Sequence, residues 1–167
     1  MSKKLDCLFL VVSSSKRSYQ SLSEKYSAIE PPTWALLLAQ STRSFGYKIN
    51  ILDANAEQLN EKQILQKIKS LDPKLICFVV YGQNVNAGTA NMSGAVHVSN
   101  YLKKNNDNFN ISFIGSHVQA LPKETLINEK SIDFVFTNEG VYSLRNILKL
   151  ENFKPKNLKD IKGIAFR

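Results

Sequence analysis

The sequence ISFIGSH at residues 111–117 decides the fold that we expect for this chain. Its apolar residues predict a short buried strand, and Gly115 and Ser116 end that strand in a small turn where a backbone can closely approach a ligand. Two more apolar stretches, residues 77–80 and 134–136, end in turns of similar composition. Because a helical pattern follows each turn, we expect parallel strands whose carboxyl ends share one edge of a sheet. That edge is the candidate site.

Two further strands complete the predicted sheet. Residues 5–12 form a continuous apolar run, and residues 47–52 alternate before ending at Asp53. Strands that alternate with helices predict an α/β fold: a Rossmann-like, flavodoxin-like three-layer sandwich with a five-stranded parallel sheet in the order 2-1-3-4-5. In this order the direction in which strands are added to the sheet reverses between the first and third strands. The polar stretch 13–29 and the loop that begins at Tyr81 should flank that point.

Local signals predict where the helices begin, end and bury their side chains. Asn60 and Gln63 have the spacing of a capping box, and Gly46 should end the preceding helix. That helix has an apolar stripe that predicts its buried face: Trp34, Leu37, Leu38 and Phe45. His97 falls on the polar face of a later helix, where we expect no chemical role for it.

The net charge of +8 is concentrated at the two ends of the 167-residue chain. Residues 1–17 hold four basic and one acidic residue, and residues 149–167 hold six basic and two acidic residues. A nucleic-acid-binding protein usually presents a basic face on its folded body. Charge at the ends instead favours solvated tails, so we expect no nucleic-acid partner.

Apolar runs and cysteines limit the class of protein further. No apolar run approaches the roughly 20 residues of a membrane helix, so we expect no membrane partner. The run after Lys3 and Lys4 is too short for a signal peptide, which predicts a cytoplasmic protein. Cys7 and Cys77 are too few and too far apart for a zinc site or a redox pair, and we expect both to be buried.

The stretch from Tyr81 to residue 94 is dense in amide and hydroxyl groups and almost without charge. Tyr81, Gly82, Gln83 and Asn86 are candidates here, because such a surface can hydrogen-bond a polar neutral ligand. A plain loop followed by a helix cap explains the composition equally well. Both interpretations stay open.

His117 and Glu139 also have two interpretations each. His117 could reach a cofactor from a turn at the end of a strand, or could hydrogen-bond a neighbouring loop. Glu139, followed by Gly140, could cap the last helix or accept a hydrogen bond from a ligand hydroxyl. The chain contains neither G-x-G-x-x-G nor a Walker loop, which disfavours a nucleotide- or flavin-dependent enzyme.

Several motifs in order resemble the N-terminal cobalamin (vitamin B12)-binding domain of cobalamin-dependent radical SAM enzymes. The segments PPTWAL (31–36) and ILDA (51–54) resemble the opening of that domain. GSHVQALPKETL (115–126) is similar to the family's G-G-P-H-A-T-x-x-P-E-x-x-L stretch, and NEGVY (138–142) to its G-E-G-E sequence. Residues 161–167 resemble the strand that joins the two domains of such enzymes.

The resemblance implies a cobalamin-binding-like domain at residues 1–150 and a linker and strand at 151–167 that lead toward a catalytic domain. It implies cobalamin at the carboxyl edge of the sheet, with the apolar segment 31–38 helping to cover the ring. By motif, the resemblance carries over these cofactor contacts: Gly115, Ser116, His117, Glu139 and Gly140. Tyr81, Gly82, Gln83 and Asn86 are added from their position in a loop at that edge.

Two absent motifs shape the functional expectation. The D-x-H-x-x-G motif that supplies a lower axial histidine in other cobalamin proteins is missing. The C-x3-C-x2-C motif that holds the iron–sulfur cluster of radical SAM enzymes is also missing. We therefore expect this chain to be the cofactor-binding portion of a methyltransferase-like radical SAM enzyme, with no catalytic residue of its own. A radical SAM domain, in cis or in trans, would hold S-adenosylmethionine and the [4Fe-4S] cluster. The alternative is a non-catalytic interaction or regulatory domain that keeps the fold without binding cobalamin.

Overall fold

The computed structural model describes residues 5–12, 14, 30–82 and 85–167. Its strands form one sheet in the order β2-β1-β3-β4-β5-β6. They are β1 (Leu5–Val11), β2 (Ile49–Asp53), β3 (Pro73–Val79), β4 (Ile111–Ile114), β5 (Phe134–Phe136) and β6 (Ile164–Phe166). The first five are parallel, which confirms the predicted α/β class and the order 2-1-3-4-5.

Within the described residues the sheet has six strands rather than the predicted five. β6 pairs with β5 in the antiparallel direction, with Phe166 opposite Phe134. The chain turns back at Gly163, where φ is +79°, and the Thr137 N–H donates to the Gly163 carbonyl. Residues 151–167 thus pack on the sheet before the chain reaches Arg167, and Phe153 and Leu158 are buried. Whether this segment leads to a further domain stays a prediction.

Helices cover both faces of the sheet. They are α1 (Thr33–Arg43), α2 (Glu61–Leu71), α3 (Val85–Asn105), α4 (Ser116–Ala120), α5 (Pro122–Asn128), α6 (Val141–Leu148) and α7 (Pro155–Leu158). α1, α6 and α7 contribute buried residues to one core cluster, and α2 to α5 contribute to the other. In the part of the chain that is described, no helix is both long and apolar enough to cross a membrane.

The helix starts confirm one local prediction and correct two. Asn60 and Gln63 form the predicted capping box at the start of α2. The stretch after Tyr81 is largely helical, because α3 begins at Val85 although asparagine and glycine are weak helix formers. Packing explains this: Gly88 is buried between α4 and the end of β3. Ser116, predicted to lie in a turn, begins α4.

The predicted buried stripe of α1 is wrong in three of its four residues. The helix buries Ala35, Leu38, Ala39 and Thr42. Two alanines allow its backbone to lie close to the sheet, so the large side chains are displaced to its sides. Trp34 is 40% exposed, Leu37 59% and Phe45 43%. His97, in contrast, is exposed on α3 as predicted.

Cys7 and Cys77 are both fully buried in the core, as predicted. They lie on the adjacent strands β1 and β3. Burial raises the pKa of the Cys77 thiol to about 12 and raises that of Cys7 well above its ordinary value. Since the thiolate is the reactive form, neither residue should react while the protein is folded.

We therefore expect DTNB at neutral pH to label less than about a tenth of the thiols in a sample of native protein. That small fraction corresponds to molecules that open locally for a short time. The same assay in guanidinium chloride should detect both, which serves as the control. Rapid labelling of either cysteine in the folded protein would contradict the buried pairing of β1 and β3.

Candidate functional site

A cavity of about 360 Å³ opens at the carboxyl edge of the sheet, between the ends of β1 and β3. This is the point where the strand order reverses, and the sequence predicted that the stretch 13–29 and the loop at Tyr81 would flank it. Its lining includes Val12, Pro31, Trp34, Asn55, Tyr81 and Asn91. Of the predicted polar stretch 13–29, only Ser14 is among the described residues. Ser14 is buried and its Oγ accepts a hydrogen bond from the Gly94 N–H at 2.8 Å.

Two stacked aromatic rings form one wall of this cavity. Trp34 lies in the first turn of α1 and Tyr81 follows β3, and their ring centroids are 4.5 Å apart with an interplanar angle of 21°. The Asn91 amide donates to the Tyr81 carbonyl at 3.3 Å, which ties the residue to α3. The wall therefore offers a broad apolar surface with neutral amides beside it, a combination suited to a flat ligand with polar edges.

Gln119 connects the aromatic wall to the loop after β5. Its Nε2 lies 2.7 Å from the Tyr81 hydroxyl and 2.9 Å from the Asn138 carbonyl oxygen. The Asn138 side chain in turn accepts from the Gly140 N–H at 2.8 Å. One side chain of α4 thus holds together the exits of β3 and β5, and so fixes the tyrosine ring.

The hydroxyl of Tyr81 remains protonated at neutral pH. Burial raises its pKa, the hydrogen bond from Gln119 opposes that rise, and the negative charge of Glu139 adds to it. In the described part of the chain no residue accepts a hydrogen bond from this hydroxyl. The group is therefore a hydrogen-bond donor at the candidate site.

The predicted site residues near β3 are placed differently from one another. Tyr81 and Gly82 line the cavity. Asn86 is exposed in the first turn of α3 and is not part of the lining. Gln83 lies outside the described residues. These assignments therefore stay predictions, and of the four residues Tyr81 and Gly82 are the two that line the cavity.

Gly115, Ser116 and His117 lie where β4 meets α4, beside a closely packed turn. A Cβ at Gly115 would lie 2.1 Å from the Val80 carbonyl oxygen, so a glycine is required there for packing alone. The Ser116 Oγ would lie 2.4 Å from a Cβ at Gly88. His117 is half-buried, and its Nδ1 lies 3.3 Å from the Thr89 Oγ1, on helix α3 rather than on a loop. Whether His117 also contacts a ligand stays a prediction.

Glu139 and Gly140 precede α6 at the same edge of the sheet. Glu139 is exposed, and the Gly140 N–H is bonded by Asn138 rather than by Glu139. Gly140 has φ of +77°, and a Cβ there would lie 2.4 Å from Cδ1 of Ile114. The positive φ favours glycine at this position, whereas the Ile114 side chain could shift to make room for a Cβ. Whether either residue contacts a ligand stays a prediction.

The sequence patterns did not predict how Trp34, Gln119 and Asn138 are arranged at this edge. The apolar stripe placed Trp34 in the core, although the family resemblance placed it in the segment 31–38 that helps to cover the ring. Gln119 and Asn138 were not among the candidate site residues. For Trp34, a further signal lay in Pro31 and Pro32, which precede it in the chain and line the same cavity. For Gln119, nothing in the sequence indicates that one amide reaches two strand ends, because that contact depends on how α4 packs.

Known proteins resemble this chain in sequence over most of its length. The family model described as "B12 binding domain" matches residues 21–148. The chain is 28% identical over 137 residues to the "Uncharacterized methyltransferase PH0819" of Pyrococcus horikoshii, and this match covers 82% of the chain and 28% of that protein.

Solved structures of similar fold include two of the cobalamin-dependent S-adenosylmethionine radical enzyme OxsB. The one with aqua-cobalamin and S-adenosylmethionine bound has a TM-score of 0.67 at 15% identity, over 96% of this chain and 20% of that chain. The apo form has a TM-score of 0.53 at 15% identity, over 97% and 20%. At this identity the likeness shows the fold. The chain spans between a fifth and a third of the length of these relatives.

We expect Gly115→Ala to lower the free energy of unfolding by about 1–3 kcal/mol, because the new methyl group collides with backbone at Val80 and the strand exits must separate. Urea unfolding followed by circular dichroism measures the change. Ser116→Ala at the next position is the matched control, and should shift stability by less than about 0.5 kcal/mol. Equal stability of the two variants would show that the β3 and β4 exits are not packed this closely.

Proposed function

This chain belongs to the family of B12 binding domains, and we propose that it binds cobalamin at the carboxyl edge of its sheet, as the cofactor-binding module of a radical SAM enzyme. The observation that carries the proposal is the cavity at the β1–β3 switch point, walled by the stacked rings of Trp34 and Tyr81. Ligands of open α/β sheets bind at such points.

The chemistry of the described residues fits this cofactor. Cobalamin has a flat macrocycle with carboxamide groups at its edge, and the site offers aromatic rings beside the neutral amides of Asn55, Asn91 and Gln119. The cavity takes part of so large a molecule, and the remainder would lie over the exposed sheet edge. Trp34 and Pro31 supply the apolar surface there, which supports a covering role for part of the segment 31–38. When bound, cobalamin supplies a cobalt ion that can exchange electrons or carry an alkyl group.

The two histidines of the chain bear on how the cobalt would be coordinated. They are His97 and His117, and neither lies in the polar stretch 13–29 that follows β1. We infer that this stretch supplies no lower axial histidine. His97 is exposed on α3, away from the cavity lining.

Catalysis would require a second domain. Both cysteines of this chain are buried, so neither is available for an iron–sulfur cluster. In the proposed enzyme, residues 1–150 hold cobalamin, residues 151–167 lead toward a radical SAM domain, and that domain holds S-adenosylmethionine and the [4Fe-4S] cluster. The methyltransferase name of the Pyrococcus horikoshii relative supports methyl transfer as the reaction class. The predicted contacts from Gly115, Ser116, His117, Glu139 and Gly140 belong to the same proposal.

We expect the purified chain to retain hydroxocobalamin through gel filtration and to lose Trp34 fluorescence in a saturable titration. Trp34 is the single tryptophan of the chain, so its emission reports on the cavity wall alone. The visible spectrum of the retained cofactor should lack histidine coordination. A colourless protein with unchanged Trp34 emission would favour an interaction domain that keeps the fold without cobalamin.

Removal of the wall should weaken this binding. We expect Trp34→Ala to raise the Kd for hydroxocobalamin about tenfold, since it removes most of an aromatic contact worth roughly 1–2 kcal/mol. Phe45→Ala is the matched control, because Phe45 is an equally exposed aromatic residue beyond the far end of α1. Absorbance of retained cofactor measures both. If the two variants bound equally, the Trp34 wall would not be the site.

A further inference from the structure

We propose that Tyr81 and Gln119 together recognise a primary carboxamide of the bound ligand. In this arrangement the Tyr81 hydroxyl donates to the carboxamide oxygen, and the Oε1 of Gln119 accepts from its NH₂ group. The inference rests on the proposed function, because cobalamin carries carboxamides around its ring. It adds a basis for distinguishing the amide form of such a ligand from the acid form.

The orientation of the Gln119 amide follows from its partners. The Asn138 main-chain oxygen can only accept a hydrogen bond, so the group that faces it at 2.9 Å must be the NH₂ of Gln119. The same nitrogen lies 2.7 Å from the Tyr81 hydroxyl oxygen. Both N–H groups are thereby used, one on each partner. The Oε1 receives no hydrogen bond from any residue in the described part of the chain.

The direction of the Tyr81 hydrogen follows from the same contact. Its oxygen accepts from Gln119, so its own hydrogen must point elsewhere, and none of the residues at positions 5–12, 14, 30–82 and 85–167 accepts it. Two neighbouring side chains therefore leave one donor and one acceptor unused. A primary carboxamide has one acceptor and a donor group side by side, so a single carboxamide matches both.

The surrounding charge favours an amide over a carboxylate. Glu139 is near enough for its negative charge to raise the pKa of Tyr81. A carboxylate placed at this pair would face the negative charge of Glu139. It would also face the lone pairs of the Gln119 Oε1, with no hydrogen between those two oxygens. Sites built to hydrogen-bond a group discriminate strongly against analogues that leave a polar atom unmatched.

The test compares hydroxocobalamin with its separated monocarboxylate derivatives, in each of which one ring carboxamide is replaced by a carboxylate. We expect the wild-type chain to bind one derivative about tenfold more weakly than hydroxocobalamin. Tyr81→Phe keeps the ring that stacks on Trp34 but removes the donor, so it should weaken hydroxocobalamin binding about five- to tenfold and reduce that preference to about twofold or less.

Tyr101→Phe is the matched control. Tyr101 is half-buried near the end of α3, outside the cavity lining. It should leave both the affinity and the preference unchanged. If Tyr81→Phe weakened all the ligands by the same factor, or none of them, the recognition of a carboxamide by this pair would be wrong while cobalamin binding itself would stand.

A second titration separates this inference from the proposed function. Propionamide and propionate, used as small probes and followed through Trp34 fluorescence, require no cobalamin. We expect propionamide to change the emission of the wild-type chain at least fivefold more per unit concentration than propionate, and Tyr81→Phe to remove that difference. Equal responses to both probes would overturn the pairing. A clear preference in a chain that does not retain cobalamin would overturn the proposed cofactor and leave the carboxamide site.

Discussion

The pairing of β1 with β3 is the constraint on which the rest of this structure depends. The two strands lie side by side in register from Leu5 opposite Pro73 to Leu10 opposite Phe78. Leu10 and Phe78 are completely buried, and full burial of one such side chain is worth roughly 1.5–3 kcal/mol. Because β2 then adds beside β1 and β4 beside β3, the chain leaves the two central strands in opposite directions. The cavity is the space between these diverging exits.

The exits of β3 and β4, in contrast, are packed together, so the cavity is confined to the space between β1 and β3. The chain leaves β4 in close contact with the end of β3, because Gly115 has no side chain to keep its backbone away from the Val80 carbonyl. The Val80 N–H also donates to the Ile114 carbonyl at 2.7 Å. Tyr81 follows this closed junction immediately, so its ring is directed to the open side where Trp34 lies. Gln119 then fixes that ring from α4. Packing at one junction thus prepares the surface at the next.

Patterns that depend on local sequence were predicted well. The strand order follows from apolar runs alternating with helical patterns, and the capping box of Asn60 and Gln63 involves residues that are neighbours in the chain. The errors arose where tertiary contacts override local preference. β6 returns to the sheet because β5 has a free edge, and α1 buries alanines because its axis lies close to the strands.

The cavity lies at the sheet edge that the sequence predicted, but the residues of its wall were not predicted in detail. The motif around Gly115 identified a strand exit that the structure shows to be closely packed, whereas the cavity lies one strand away. Its wall combines Trp34 and Tyr81, which are far apart in the chain, so no local pattern could pair them. The family relationship implies cobalamin, and our proposal places it against the wall that these residues form.

Hydrogen–deuterium exchange of the chain with and without hydroxocobalamin tests the location of the site most directly. The account predicts slower exchange at residues 33–37 and 79–82, which form the aromatic wall, and little change at the opposite edge of the sheet near the start of β3. Slower exchange confined to residues 115–117 and 138–140, or none at the aromatic wall, would contradict a cofactor site at the β1–β3 switch point.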